Sequence, residues 1–152
     1  MSVVEVPMDS TGAGLKVGLV VATFNEAITE PLAQGAIDQL EALGVDTVTV
    51  VRVPGALEVP AVAKALAQGH DAVVAVGAVI EGETDHYEHV ATQASAGLMQ
   101  VSLDTGVPVG SAVLTVRSAA HAVDRSRPGP GNKGAEAAEA AVIAANALKA
   151  LG

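Results

Sequence analysis

The chain has 152 residues, half of them apolar, yet only two, Phe24 and Tyr87, are aromatic, while 30 are alanine. With 17 acidic against 8 basic side chains and a net charge of −9, it lacks the clustered Lys and Arg that nucleic acid or an anionic membrane surface attracts. There is no cysteine, which excludes disulfides, a thiolate nucleophile and Cys-ligated zinc, and fits a cytoplasmic address.

The longest apolar runs, such as Ala72 to Ile80, have about nine residues, well short of the roughly 20 a membrane helix needs. The segment Met1 to Gly14 carries Glu5 and Asp9 and no basic stretch, so no signal peptide is expected. The length is that of one domain. Its core has to be tiled from small aliphatic side chains, which favours closely spaced layers or a subunit leaning on neighbours.

In chain order, Val3, Val4 and Val6 predict an extra N-terminal edge strand, and Thr11 to Gly14 a flexible joint, so that residues 1–14 form an arm and 15–152 the domain. A strand is expected over Lys16–Thr23, then a helix from about Glu26 to Leu43, with Pro31 near its start and Gly44 just past its end. Thr47–Val53 reads as the next strand, and Leu57 to Gln68 as a helix with Pro60 in its first turn and Gly69 beyond it. Asp71–Val79 is a third strand, followed by a helix over His86–Thr105 and a fourth strand over Pro108–Val116. Ser118 is the expected N-cap of a short helix. Arg127-Pro-Gly-Pro-Gly131 can only be a loop, and a final alanine-rich helix occupies about Gly134 to Leu151.

All four strands are so continuously apolar that they read as covered on both faces. Strands alternating with helices over short connections predict an α/β fold, because parallel strands need right-handed helical crossovers. The expected architecture is a three-layer α/β/α sandwich with a four-stranded parallel sheet, flavodoxin-like and doubly wound, plus the N-terminal edge strand.

In such a sheet ligands bind beyond the carboxyl ends of the strands, where the strand order reverses. The candidates are therefore Phe24-Asn25, Pro54 to Glu58, Ile80 to Tyr87, and Thr115 onward. Phe24 either stacks on a planar heterocycle or caps the end of the core; Asn25 is a turn residue or a ligand contact. Gly82, Glu83 and Thr84 stand just before a helix, where free N–H groups and the dipole favour a phosphate or carboxylate. His86 follows in the first turn, suited to proton transfer near neutral pH. The plainer reading makes Glu83 and Asp85 dipole partners and His89 ordinary surface. His86 and His89 match no standard zinc spacing, and no metal is expected. Arg125 and Lys133 are either phosphate clamps or solvated surface. No nucleophile elbow, Walker loop or dinucleotide fingerprint is present.

Taken together, Phe24-Asn25, Pro54-Gly-Ala-Leu-Glu-Val-Pro60, Gly77-Ala-Val-Ile-Glu-Gly-Glu-Thr-Asp-His-Tyr87, Thr105-Gly-Val-Pro-Val109, Val113-Leu-Thr115 and Gly131-Asn-Lys-Gly134 resemble the 6,7-dimethyl-8-ribityllumazine synthase family. The resemblance runs from about Gly14 to Leu151. It implies a cofactor-free transferase reaction, the penultimate step of riboflavin biosynthesis. In that step 5-amino-6-ribitylaminouracil condenses with 3,4-dihydroxy-2-butanone 4-phosphate, losing phosphate and water. By the same resemblance Phe24 stacks on the pyrimidine and Ala56, Leu57 and Glu58 line the ribityl chain. Glu83 and Thr84 hold the phosphate with Arg125, and His86 moves protons. Asn25, Val79, Ile80, Ser111 and Lys133 complete the substrate-binding set.

Arg125 and Lys133 would come from an adjacent subunit, in a homopentamer or an icosahedral shell of pentamers, with the N-terminal strand pairing with a neighbour. The partners implied are these two small molecules and further copies of the chain, with no nucleic acid and no membrane. The sequence departs from the family pattern at Leu57 and Ser111, where aromatics are common, at Glu81, where many relatives have arginine, and over Val116 to His121. Alternatives are a riboflavin synthase of the same fold and a non-catalytic flavin- or lumazine-binding shell protein.

Overall fold

β-Branched and small aliphatic residues put β1 (Lys16–Ala22) in the middle of the sheet, where every residue after Lys16 is buried. The computed structural model describes all 152 residues. Beside β1 lies β3 (Ala72–Ile80), buried as far as Val79. β2 (Thr47–Val53) and β4 (Val109–Val116) flank this pair, giving an all-parallel sheet in the order β2-β1-β3-β4. The direction of winding reverses between β1 and β3, the position where a doubly wound sheet opens a crevice.

Alternate residues of the central strands face opposite layers. Leu19, Val21, Val74 and Val76 pack with α1 (Glu26–Ala42), α4 (Ala119–Ser126) and α5 (Lys133–Leu151). Val20, Val73 and Ala75 pack with α2 (Val59–Ala67) and α3 (His86–Thr105). The expected three-layer sandwich is therefore present. A single 3₁₀ turn, Ala56–Glu58, occupies what the sequence suggests is the start of α2. Ser118 caps α4 as expected, its hydroxyl accepting from the His121 N–H at 3.3 Å.

Small residues let the layers approach closely. A Cβ on Gly110 would collide with the Ala137 carbonyl, and one on Gly134 with the Leu32 carbonyl. The buried Asn132 joins three elements through one amide. Its Nδ2 donates to the carbonyls of Ser126 (3.0 Å), Arg127 (3.1 Å) and Pro31 (3.3 Å), and its Oδ1 accepts from the Ala135 N–H at 3.0 Å. On the surface, Arg52 donates through Nε and Nη2 to both oxygens of Glu30, at 3.0 and 3.1 Å. That hydrogen bonding holds the Glu30 carboxyl below its usual range, against a smaller opposing effect of burial.

Three expectations need correction. Residues 1–10 form no strand, and the sheet has four strands rather than five. The arm instead turns along α5, where Asn146 Nδ2 donates to the carbonyls of Asp9 (2.9 Å) and Thr11 (2.8 Å). Nor is Thr11 to Gly14 a free joint: Gly12 N–H donates to the Leu43 carbonyl at 2.7 Å and Gly14 N–H to Asp46 Oδ1 at 3.2 Å. Finally, β2 and β4 are not covered on both faces. In β2 only Val53 is buried, and β4 alternates, with Ser111 and Thr115 exposed. As edge strands they have one neighbour each, and the helices reach over the centre of the sheet first. No helix is long and apolar enough to cross a membrane.

The close seating of α5 makes a specific demand on stability. Gly110→Ala and Gly134→Ala are each expected to destabilise the fold by about 1–3 kcal/mol through overpacking. Gly69→Ala, with nothing within 4 Å of the new Cβ, should be near neutral. Urea denaturation of the three variants measures this; equal stability of all three would contradict the packing of α5 on β4 and α1.

Candidate active site

The crevice begins where the strands part. Pairing of β1 with β3 ends at Val21 opposite Val76, whereas β1 with β2 continues to Ala22 opposite Val53 and β3 with β4 to Ile80 opposite Val116. Beyond β1 the chain stays with the β2 side, Thr23 N–H donating to the Val53 carbonyl (2.8 Å) and Phe24 N–H to the Pro54 carbonyl (2.9 Å). Asn25 then turns the backbone in the left-handed conformation, φ 63°, the one non-glycine residue to do so. Phe24 is left 70% exposed, which decides against its capping the core.

From the β2 side comes the loop Pro54 to Glu58. Its shape is set by Glu58, whose Oε1 accepts from the Gly55 N–H at 2.9 Å. Ala56 is buried against Val79, Val90 and Ala94, so the small residue seats the loop while Leu57 stays half exposed. From β3 come Val79 and Ile80, after which Glu81 N–H is fixed by the Val116 carbonyl at 2.9 Å. The next four residues, Gly82 to Asp85, donate no backbone hydrogen bond within the chain. They lead into α3 at its positive end, where Asp85 makes no capping bond and the Thr84 hydroxyl accepts from the His86 N–H at 3.4 Å. His86 opens α3 and is exposed at the mouth.

These segments enclose a cavity of about 310 Å³, at the small end of the range for ligand sites. Of the residues singled out in the sequence, Phe24, Ala56, Leu57, Glu58, Val79, Ile80, Thr84 and His86 line it. Glu83 is exposed beside it without forming its wall. Asn25 sits behind the wall, its Nδ2 donating to the Ala78 carbonyl at 3.0 Å. Ser111 on β4, Arg125 in α4 and Lys133 at the start of α5 lie outside the cavity. Arg125 Nη1 donates to the His121 carbonyl of its own helix at 3.1 Å, and Lys133 Nζ pairs with Glu136 at 3.0 Å.

Tyr87 had no role assigned from sequence. It is half-buried against the Ala56, Val79, Val90 and Ala94 cluster and lines the same cavity. Its spacing of three from Val90 on a helix was the available signal.

The lining includes Glu58 and His86 but no lysine or arginine. His89 and Asp85 form only an exposed contact at 3.8 Å, and no three His or carboxylate side chains converge as metal ligands do. A larger groove of about 820 Å³ runs along the surface between α1, the Pro-Gly loop and the start of α5. Its carboxylates Glu30, Asp38, Glu136 and Glu139 are each already hydrogen-bonded or ion-paired, and its lining is proline, glycine and polar residues with Ala135 the one hydrophobic residue. It offers a flat ring no apolar floor. The smaller cavity has one, together with an exposed aromatic side chain, unpartnered N–H groups and an imidazole.

A family model described as 6,7-dimethyl-8-ribityllumazine synthase matches residues 14–149. The chain belongs to that family. It is accordingly an enzyme, and the lumazine-forming condensation is the reaction that membership brings with it. The match begins at Gly14, so the arm lies outside it while every segment of the cavity lies within.

An aromatic side chain this exposed contributes little to the core, so its removal separates binding from folding. Phe24→Ala is expected to weaken affinity for a lumazine or its pyrimidine precursor by about 0.5–1.5 kcal/mol beyond lost area, with little change in thermal stability. Ligand titration alongside thermal unfolding checks this; a large fall in stability with unchanged affinity would return Phe24 to the core.

Proposed function

We propose that the cavity at the carboxyl ends of β1 and β3 is where 5-amino-6-ribitylaminouracil and 3,4-dihydroxy-2-butanone 4-phosphate condense to 6,7-dimethyl-8-ribityllumazine. One arrangement carries this reading: an exposed ring, an imidazole and the start of a run of unpartnered amide N–H groups, at Gly82 and Thr84, line one apolar cavity. Phe24 stacks on the pyrimidine, and Ala56, Leu57 and Glu58 accommodate the ribityl chain. The N–H groups of Gly82 to Asp85 hold the phosphate, as the positive end of a helix is suited to do. His86, between ring and phosphate, moves protons during imine formation, phosphate elimination and ring closure.

The balance of the reaction involves only water, phosphate and protons, so holding the two reactants together does much of the work. Proximity and orientation supply up to about 7–11 kcal/mol in ideal cases. Positioned proton transfer adds about 10²- to 10⁴-fold.

The site is completed by a neighbouring copy of the chain, in a pentamer or a shell of pentamers. Three features support this. The cavity lining has no cation for a phosphorylated substrate. The edge strands are half exposed. Met99 and Leu103 on α3 and Val3 and Val4 of the arm are largely exposed apolar residues. Arg125 and Lys133 of an adjacent subunit supply the missing charge, Ser111 faces the neighbouring site, and the arm pairs with that subunit. A phosphorylated substrate does not cross a bilayer unaided, which favours a cytoplasmic location.

Incubation with both substrates should form lumazine absorbance faster than the spontaneous reaction, and His86→Ala should lower kcat about 10²- to 10⁴-fold. Conversion of preformed lumazine to riboflavin would point instead to a riboflavin synthase, and flavin binding with no turnover to a non-catalytic shell protein. Arg125→Ala should raise KM for the butanone phosphate far more than for the pyrimidine. Co-assembling His86→Ala with Arg125→Ala subunits should then restore a fraction of the activity, since some sites receive one intact residue from each. Light scattering that finds only monomers, or mixing that restores nothing, would remove the shared site.

A further inference from the structure

The parting of β1 from β3 leaves a gap in the hydrogen-bond ladder, and one side chain bridges it. Pairing of the two strands stops at Val21 opposite Val76. Two residues further along β3, the Ala78 carbonyl accepts from Asn25 Nδ2 at 3.0 Å, in a half-buried setting. The same residue begins α1, its backbone carbonyl accepting from the N–H groups of Ile28 (2.9 Å) and Thr29 (3.0 Å). Its own backbone is left-handed, φ 63° and ψ 48°, a conformation Asn tolerates better than most residues. Glycine would suffice if conformation were the sole requirement.

Phe24 is thus held from both sides. On one side its N–H is fixed to the Pro54 carbonyl at 2.9 Å, and on the other its neighbour is fixed to β3. The ring itself makes few contacts, being 70% exposed, so packing does not orient it. Its direction is set by the backbone it stands on.

We infer that Asn25 is a positioning residue for the pyrimidine, acting through the Ala78 bond to hold the Phe24 ring over the cavity, and not a direct substrate contact. This rests on the reading of Phe24 as the stacking surface. The amide replaces the peptide hydrogen bond that β1 and β3 can no longer make, so the crevice opens without freeing its lip. The effect falls on ring stacking, and the phosphate end, held by Gly82 to Asp85, is untouched.

Two variants separate the bond from the turn. Asn25→Gly keeps the left-handed backbone and removes the amide. Asn25→Asp keeps the size but presents a carboxylate oxygen to the Ala78 carbonyl. Both are expected to raise KM for the pyrimidine about 3- to 10-fold, the value of one aromatic stacking contact. The change should fall on that KM rather than on kcat or on KM for the butanone phosphate. On a Phe24→Ala background, Asn25→Gly should have no further effect, because the two residues act as one unit.

Amide exchange, followed by NMR in the absence of substrate, should also speed up at Phe24 in Asn25→Gly while the central strands keep their protection. A glycine variant with the parent KM would reduce Asn25 to a turn residue, and equal effects with and without Phe24 would sever the link; either overturns the inference. If the parent chain itself does not condense the two substrates, it is the functional reading that falls. The exchange rate at Phe24 then decides the positioning claim alone, acceleration supporting it and no change overturning it.

Discussion

A chain with two aromatic side chains has to fill its core by proximity. Gly110 lies against the Ala137 carbonyl and Gly134 against the Leu32 carbonyl, distances at which no side chain fits. Ala137, Ala138, Ala141 and Ala145 of α5 then meet the sheet and α1 directly. Dispersion and exclusion of water depend on the number of close atomic contacts rather than on the bulk of any one residue. Once the layers are that close, neither ring is needed at the centre. Phe24 and Tyr87 are both found at the crevice.

The opening of the site and its candidate anion contacts, by contrast, are made by backbone. The gap between β1 and β3 is opened by topology, its lip is held by main-chain hydrogen bonds and the Asn25 amide, and the anion-binding candidates are the N–H groups of Gly82 to Asp85. Side chains contribute the ring, the imidazole, Glu58 and the apolar floor of Ala56, Leu57, Val79, Ile80 and Val90. Backbone positions are fixed by the sheet and helices behind them, so little conformational freedom remains to be lost when two reactants are brought together.

Much of this was legible in the sequence. β1 and β3, unbroken apolar runs between helical segments, could only be central, and Gly and Pro marked most helix ends. The position of the site followed from the fold, since a doubly wound sheet exposes Phe24, the 54–58 loop and the segment ending in His86 at the same edge. The exposure of β2 and β4 was not legible, because an apolar run does not reveal how far the covering helices extend. The arm forms no strand within this chain for a related reason: three valines signal a strand but not where its partner lies, and here Asn146 draws the backbone of Asp9 and Thr11 toward α5. Whether Asn25 is a turn residue or a ligand contact stays open in the sequence, because a polar residue beside a crevice does not disclose which way its amide points; in the structure the amide nitrogen bonds the Ala78 carbonyl. Arg125 and Lys133 lie outside the cavity of their own chain, in line with the resemblance, which places them in the site of an adjacent subunit.

The amide of Asn132 has a consequence for how the subunit presents itself. By joining the last carbonyls of α4 to Pro31 of α1 and to the first turn of α5, it fixes the heading of the short helix from inside the molecule. Arg125 is on that helix, one residue before its end. The bearing on which its guanidinium leaves the surface is therefore governed by a buried neutral group that never meets solvent. A change at this hidden rivet would redirect the outward-facing charge without altering a single exposed residue.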